Sequence, residues 1–185
     1  MQNVLTVKNS EEFRAWLEDN ATGETECWLT LKRGKPKPDG NFYYLDAVET
    51  ALCFGWIDST QKVVEGVHLQ RFSPRKKNSP WSELNKERVR RLEKLGLMTD
   101  SGRAVLPDMG FVMDEDVKAE LQNAGVLDKL PAFPPLYVRV RTYNVAFFKK
   151  RDKKAYERAL AHLIEETKKG KMFGEWNDYG RLIEY

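Results

Sequence analysis

Residues 56–72 read WIDSTQKVVEGVHLQRF, and this stretch decides the fold. Two runs carrying Val, Ile, Thr and Phe flank Glu65-Gly66, a pair suited to a tight reversal, so the segment predicts an antiparallel β-hairpin. Helical patterns stand on both sides of it. Separate helices around an antiparallel hairpin predict an α+β fold with a small antiparallel sheet.

Upstream, residues 9–20 (NSEEFRAWLEDN) predict a helix capped by Asn9 with Glu12 reaching back, and Phe13, Trp16 and Leu17 form its apolar stripe. ECWLTLKR predicts a strand with Trp28 and Thr30 on one face and Cys27, Leu29 and Leu31 on the other. GKPKPDGN is a loop by composition. FYYLDAVETALCF predicts a second helix with Tyr44, Ala47, Val48, Ala51 and Leu52 on one face, closed by Gly55.

Downstream of the hairpin a helix is expected from Pro80 to Leu95, with Ser79 as N-cap and Gly96 closing it. Thr99 opens a short capped segment, and residues 114–123 predict a further short helix. LPAFPP reads as the clearest boundary, dividing a core of residues 1–130 from a helical extension of residues 131–185. In that extension residues 136–150 and 152–169 predict a helical hairpin, the second helix burying Ala155, Tyr156, Ala159, Leu160 and Leu163. The aromatic tail FGEWNDYGRLIEY is expected to pack back rather than remain loose.

The 185 residues are 41% hydrophobic and 32% charged, enough apolar matter for a core under a heavily charged surface. The first residues show no basic stretch followed by an apolar run, and no segment approaches the roughly 20 apolar residues needed to span a bilayer. Cys27 and Cys53 lie in apolar surroundings and read as buried free thiols. These features predict a cytoplasmic protein. The net charge of +3 is unevenly spread: residues 67–95 hold nine Lys/Arg against three Asp/Glu, and residues 131–185 twelve against seven. Such asymmetry favours an anionic partner.

The basic segment RFSPRKKNSPWSELN, residues 71–85, leads into the helix that carries the most informative pattern. Trp81, Leu84, Leu92 and Leu95 share one arc of the helical wheel, and Asn85 and Arg88 fall on or beside it, whereas Glu83, Lys86, Arg90 and Lys94 read as a solvated face. An inward guanidinium needs a carboxylate, a phosphate or an open cavity. One reading is an internal ion pair of Arg88 with Asp58 or Asp46. The other is a ligand pocket built from Asp58, Arg71, Ser73, Arg75, Ser79, Trp81, Asn85 and Arg88, with the helix N-terminus and three arginines suited to a small anionic or phosphorylated ligand. Trp56 and Trp81 are either core or flat surfaces for a ring.

Other chemistries find little support. His68 and His162 stand far apart without ligand-spaced partners, so no metal is expected, and no cofactor-binding fingerprint is present. Cys53 sits near a helix C-terminus, where the dipole disfavours a thiolate. Two alternatives to simple ligand binding stand: a nucleic-acid-binding module using the basic segments at 71–94 and 149–154, and an enzyme with Asp58 as general base.

Several blocks resemble the YdeI/OmpD-associated family, also called the bacteriocin-protection family. They are Phe13, Trp16 and Leu17; Trp28-Leu29 and Lys32; ALCFGWIDS at 51–59; Ser73 to Lys76; Ser79, Trp81, Ser82 and Asn85; and Leu92, Gly96, Met98 and Gly102. The resemblance covers about residues 10–105. It implies a bacterial or archaeal protein tied to tolerance of bacteriocins or cationic antimicrobial peptides, with the C-terminal helix pair as the family's usual extension.

Overall fold

A computed structural model describes residues 3–185. The fold is α+β: a three-stranded antiparallel sheet accompanied by several helices. The chain forms α1 (Ser10–Asn20), β1 (Cys27–Thr30), α2 (Tyr44–Cys53), β2 (Trp56–Val64), β3 (Val67–Pro74), α3 (Glu83–Lys94), α4 (Asp100–Ala104), α5 (Glu115–Asn123), α6 (Pro135–Phe148) and α7 (Lys153–Lys168). Strand order is β1-β3-β2, so the second strand of the hairpin lies at the centre. Among the described residues no helix is long and apolar enough to cross a membrane.

Two compact units divide the chain. The first comprises the residues up to Pro80 together with Arg88–Asp108, and the second comprises Trp81–Glu87 and Met109–Tyr185. The division differs from the boundary expected at residue 130. The proline-rich segment continues a 3₁₀ turn over Leu127–Ala132, and Pro135 occupies the first position of α6, where its missing N–H costs nothing. Leu130 is buried there among Val117, Leu121, Val145, Leu160 and Leu163, so α5 shares the core of α6 and α7.

In the first unit α1 begins as its sequence directs. The Asn9 side chain accepts from the Glu12 N–H at 2.8 Å, and the Lys8 N–H donates to the Glu12 carboxylate at 2.9 Å. This places Phe13 and Leu17, both fully buried, against the sheet side, where Phe13 meets the Phe72 ring edge-on at 5.6 Å. Trp56 is 1% exposed, donates its indole N–H to the Ala21 carbonyl and packs edge-on with Trp16. It is core, not a platform for a ligand ring.

α3, whose residues up to Glu87 belong to the second unit and the rest to the first, departs from its expected start and polarity. Ser82, not Ser79, supplies the cap, accepting from the Asn85 N–H at 3.1 Å. Glu83 and Lys86, expected on a solvated face, are withdrawn from solvent and paired with each other at 3.0 Å. Glu87 is also buried, accepting from Arg139 at 2.6 Å and from the Tyr185 hydroxyl at 2.7 Å. A carboxylate can leave water when guanidinium and hydroxyl partners replace its hydration, and here those partners come from α6 and the C-terminus. The tail does pack back, with Leu182 against Leu136 and Val140. Leu95, assigned to the apolar arc, is instead 49% exposed.

Candidate functional site

The sheet register sorts the polar residues of the hairpin onto two faces. Phe72 of β3 stands opposite Cys27 of β1 and Asp58 of β2, whereas Arg71 stands opposite Trp28 and Ser73 opposite Ile57. Neighbouring residues on a strand point to opposite sides, so Asp58 shares the face of Phe72, and Arg71 and Ser73 lie on the other. The expected pocket is therefore split by the pleat. Arg71 is occupied on its own face: its Nε donates to Glu26 at 2.6 Å and its Nη1 to the Ser59 hydroxyl at 3.2 Å. The Trp28 indole donates to the same carboxylate at 3.0 Å, and these two hydrogen bonds, Trp28's first, hold the Glu26 carboxyl below its usual range.

Arg75 and Ser79 lie beyond the end of β3, and they find each other. Arg75, 8% exposed, takes its backbone N–H to the Gly55 carbonyl and donates through Nη1 to the Ser79 hydroxyl at 3.0 Å. Trp81 and Asn85 belong to the second unit. Trp81 is 8% exposed.

Asp58 and Arg88 are brought together through a residue that the sequence assigned to the core. Tyr44, at the start of α2, donates its hydroxyl to Asp58 Oδ2 at 2.6 Å, and the charge of the buried Arg88 acts on the same phenol. Burial, then the Asp58 charge and hydrogen bond, push the Tyr44 phenol up to about 12, with Arg88 and Arg33 opposing. Tyr44 is therefore a neutral donor at physiological pH. Arg33 lies 3.8 Å above the Tyr44 ring, a close cation–π contact.

From Arg33 the cluster continues into the sheet. Arg33 Nη2 donates to Gln70 Oε1 at 2.6 Å, and Gln61 Nε2 donates to the same oxygen at 3.1 Å. Gln70 Nε2 in turn donates to the carbonyls of Ser59, Thr60 and Arg71 at 3.1, 3.4 and 3.2 Å. With two donors on its oxygen and three carbonyls around its nitrogen, this amide, 4% exposed, has one consistent orientation. Those carbonyls mark an irregularity: the β2–β3 register shifts between Asp58 and Gln61, an extra residue that brings Gln61 opposite Gln70. The bulge therefore sets which side chains reach this face.

An open cavity of about 320 Å³ adjoins the cluster, lined by Leu31, Arg33, Gln61, His68, Leu69 and Gln70. Arg33 has no carboxylate partner among the described residues; its contacts are a neutral amide and an aromatic face. The cavity thus has a fixed guanidinium, an amide and an imidazole on its wall. Burial pushes the thiol of Cys27 up to about 12 and that of Cys53 up to about 11, which disfavours the thiolate at neutral pH.

Of the expected site residues, then, Asp58 and Arg88 meet around Tyr44, Arg75 and Ser79 pair separately, and Arg71 and Ser73 face the other way. Sequence reasoning missed Arg33, Tyr44, Gln61, His68 and Gln70. One signal was available for Gln70: it sits in step with Phe72 on β3, a polar residue in the inward phase of a strand.

No curated protein and no solved structure matches the chain. A family described as a domain of unknown function, DUF8412, matches residues 5–105, an interval that nearly coincides with the first unit and contains the whole Arg33–Tyr44–Asp58 cluster. The chain belongs to the DUF8412 family.

Proposed function

We propose that the first unit binds a small anionic ligand, a phosphorylated or carboxylated metabolite, in the cavity beside Arg33. The observation that carries this reading is the placement of Arg33: stacked on Tyr44, tied to Gln70, and without a carboxylate to neutralise it. A guanidinium held on neutral partners keeps its remaining N–H groups for an anion and has already lost the side-chain freedom that binding would otherwise cost. Gln61 and His68 supply further polar contacts on the same wall. In this reading Asp58 holds Tyr44, and Tyr44 holds Arg33; Asp58 acts on position and is not assigned a proton-transfer step.

Calorimetric titration of the full chain with inorganic phosphate, phosphorylated metabolites and dicarboxylates at low salt tests it. At least one of these anions should bind at a single site, and Arg33→Gln should weaken that binding about tenfold or more while the protein stays folded, since Arg33 is exposed and bonded to a neutral group. Binding that survives Arg33→Gln unchanged, or no binding by any anion of the panel, would overturn the assignment. The sequence resemblance at residues 51–59 and 73–85 adds a physiological setting, tolerance to bacteriocins or cationic antimicrobial peptides. Growth inhibition by such a peptide, compared with and without the gene, checks that setting separately.

A further inference from the structure

The two basic segments of the chain differ in what their charges already touch. Within residues 71–94, Arg71 is ion-paired with Glu26, Lys86 with Glu83 and Arg91 with Glu49. The junction between α6 and α7 is different. Residues 150–158 hold five Lys/Arg against two Asp/Glu. Lys150, Arg151, Lys154 and Arg158 are exposed, and none has a carboxylate partner among the described residues. The acids beside them do little to neutralise the patch. Asp114 and Asp116 are taken by Lys149, and the Asp152 side chain caps α7, accepting from the Ala155 N–H at 2.9 Å. Glu157 stands 3.9 Å from Lys153, an exposed pair of the kind that contributes little.

The patch also holds a flat group in place. The Arg151 guanidinium lies 3.9 Å over the Phe147 ring, and its Nη1 donates to the Phe147 carbonyl at 2.9 Å. Phe147 itself packs edge-on against Phe148 at 5.7 Å. Lys154 and Arg158 are one helical turn apart and share a face of α7, and Lys150 and Arg151 lie in the turn just before that helix. Open positive charge in a row beside a fixed, stacked guanidinium is what a single strand of nucleic acid requires: cations for its phosphates and a flat face for a base. An anionic bilayer fits less well. It takes up exposed apolar side chains beside the cations, and none of the apolar residues of 147–158 is fully exposed.

We propose that the α6–α7 junction binds single-stranded nucleic acid, with phosphates on Lys150, Lys154 and Arg158 and a base stacked on the Arg151 guanidinium. Charge and a flat face are common to every nucleotide, so binding is independent of base sequence. The surface belongs to the second unit and does not rest on the anion reading of the Arg33 cavity in the first.

Fluorescence anisotropy of the full chain with a labelled oligo(dT) about 20 nucleotides long, from about 20 to 200 mM NaCl, tests the proposal. Three to four phosphate contacts predict a slope of about −2 to −3 in log affinity against log salt, at roughly 0.7 per contact. The quadruple variant Lys150→Gln, Arg151→Gln, Lys154→Gln, Arg158→Gln should bind about tenfold or more weakly and flatten that slope. A charge-matched control, Lys35→Gln, Lys37→Gln, Lys76→Gln, Lys77→Gln, removes four exposed cations of the first unit and should bind within about threefold of the wild type. Arg151→Lys keeps the charge and loses the flat group, so affinity should fall about fivefold or more with the slope unchanged. Failure to bind the oligonucleotide at the lowest salt would overturn the proposal, as would equal losses in the two quadruple variants. A duplex of the same length that competes as well as the single strand, or an Arg151→Lys protein that binds like the wild type, refutes the stacked base. Binding of phosphatidylserine vesicles in place of the oligonucleotide would make the patch a membrane contact instead. The salt and duplex series use only the native chain, so a variant that fails to fold leaves the proposal open to refutation.

Discussion

Gln70 is the residue on which the sheet-face cluster turns. One buried amide satisfies the carbonyls of Ser59, Thr60 and Arg71, accepts from Gln61, and anchors Arg33. Replacing it with Leu keeps the volume and removes every one of those bonds. Gln70→Leu should cost about 1–3 kcal/mol in urea unfolding, the range for orphaning buried polar groups, and should also weaken anion binding at Arg33. An unchanged denaturation midpoint would show that water replaces the amide at no cost. The residue also shows where sequence reasoning stops. Asp58, Arg71 and Ser73 look like neighbours because the hairpin turns between them, yet the pleat separates Asp58 from the other two. Their faces depend on register, and register depends on an extra residue between Asp58 and Gln61 that no composition signal marks.

At the scale of elements, much was legible because it is local. The cap of α1, the reversal at Glu65-Gly66 and the helix pair α6–α7 follow from spacing along the chain. What was not legible depends on partners distant in sequence, as with Glu83 and Glu87, whose burial rests on Arg139 and Tyr185. The docking of α4 onto α2 is of the same kind. The Cys53 carbonyl, left open at the end of α2, accepts from the Thr99 backbone N–H at 3.0 Å and the Thr99 hydroxyl at 2.6 Å. That approach needs Gly102, where an added Cβ would lie 2.2 Å from the Cys53 oxygen. The obstacle is backbone, so the helices must separate. Gly102→Ala should destabilise the protein by about 1–3 kcal/mol, measured by thermal or urea unfolding. Gly23→Ala, with nothing within 4 Å of its Cβ, is the matched control and should be neutral or slightly stabilising.

At the scale of the whole molecule, the division into units was the least accessible property. A Pro-rich segment ordinarily marks a boundary, but LPAFPP is tied down by buried Leu130, and α3 supplies residues to both units. The pH response, by contrast, sums over groups in both. Glu26 and Asp39 in the first unit, and Asp114 and Glu165 in the second, have folded carboxyls held below their ordinary values of 4.5 and 3.8. For Asp39 the leading cause is its bond from Lys32, followed by Asn41 and Tyr43. A depressed carboxyl contributes stability that is present above its unfolded pKa and is lost as pH falls through its folded pKa. Tyr44 has the opposite sign: its phenol is raised from 10.0 to about 12, so its contribution is complete below pH 10 and is lost as pH rises toward 12. The buried thiols of Cys27 and Cys53, raised from 9.0 to about 12 and about 11, act in the same direction and begin to act lower, so stability should hold level through neutrality, decline below about pH 4.5, and decline again above about pH 9. Urea midpoints measured across that range check the shape. A Glu26→Gln, Asp39→Asn double variant should be less stable at pH 7 and show a shallower acid decline, because two of the four carboxyls that lose favourable partners on protonation are gone. If its acid limb stays as steep as the wild type's, the acid sensitivity resides in the second unit, with Asp114 and Glu165 the next carboxyls to replace.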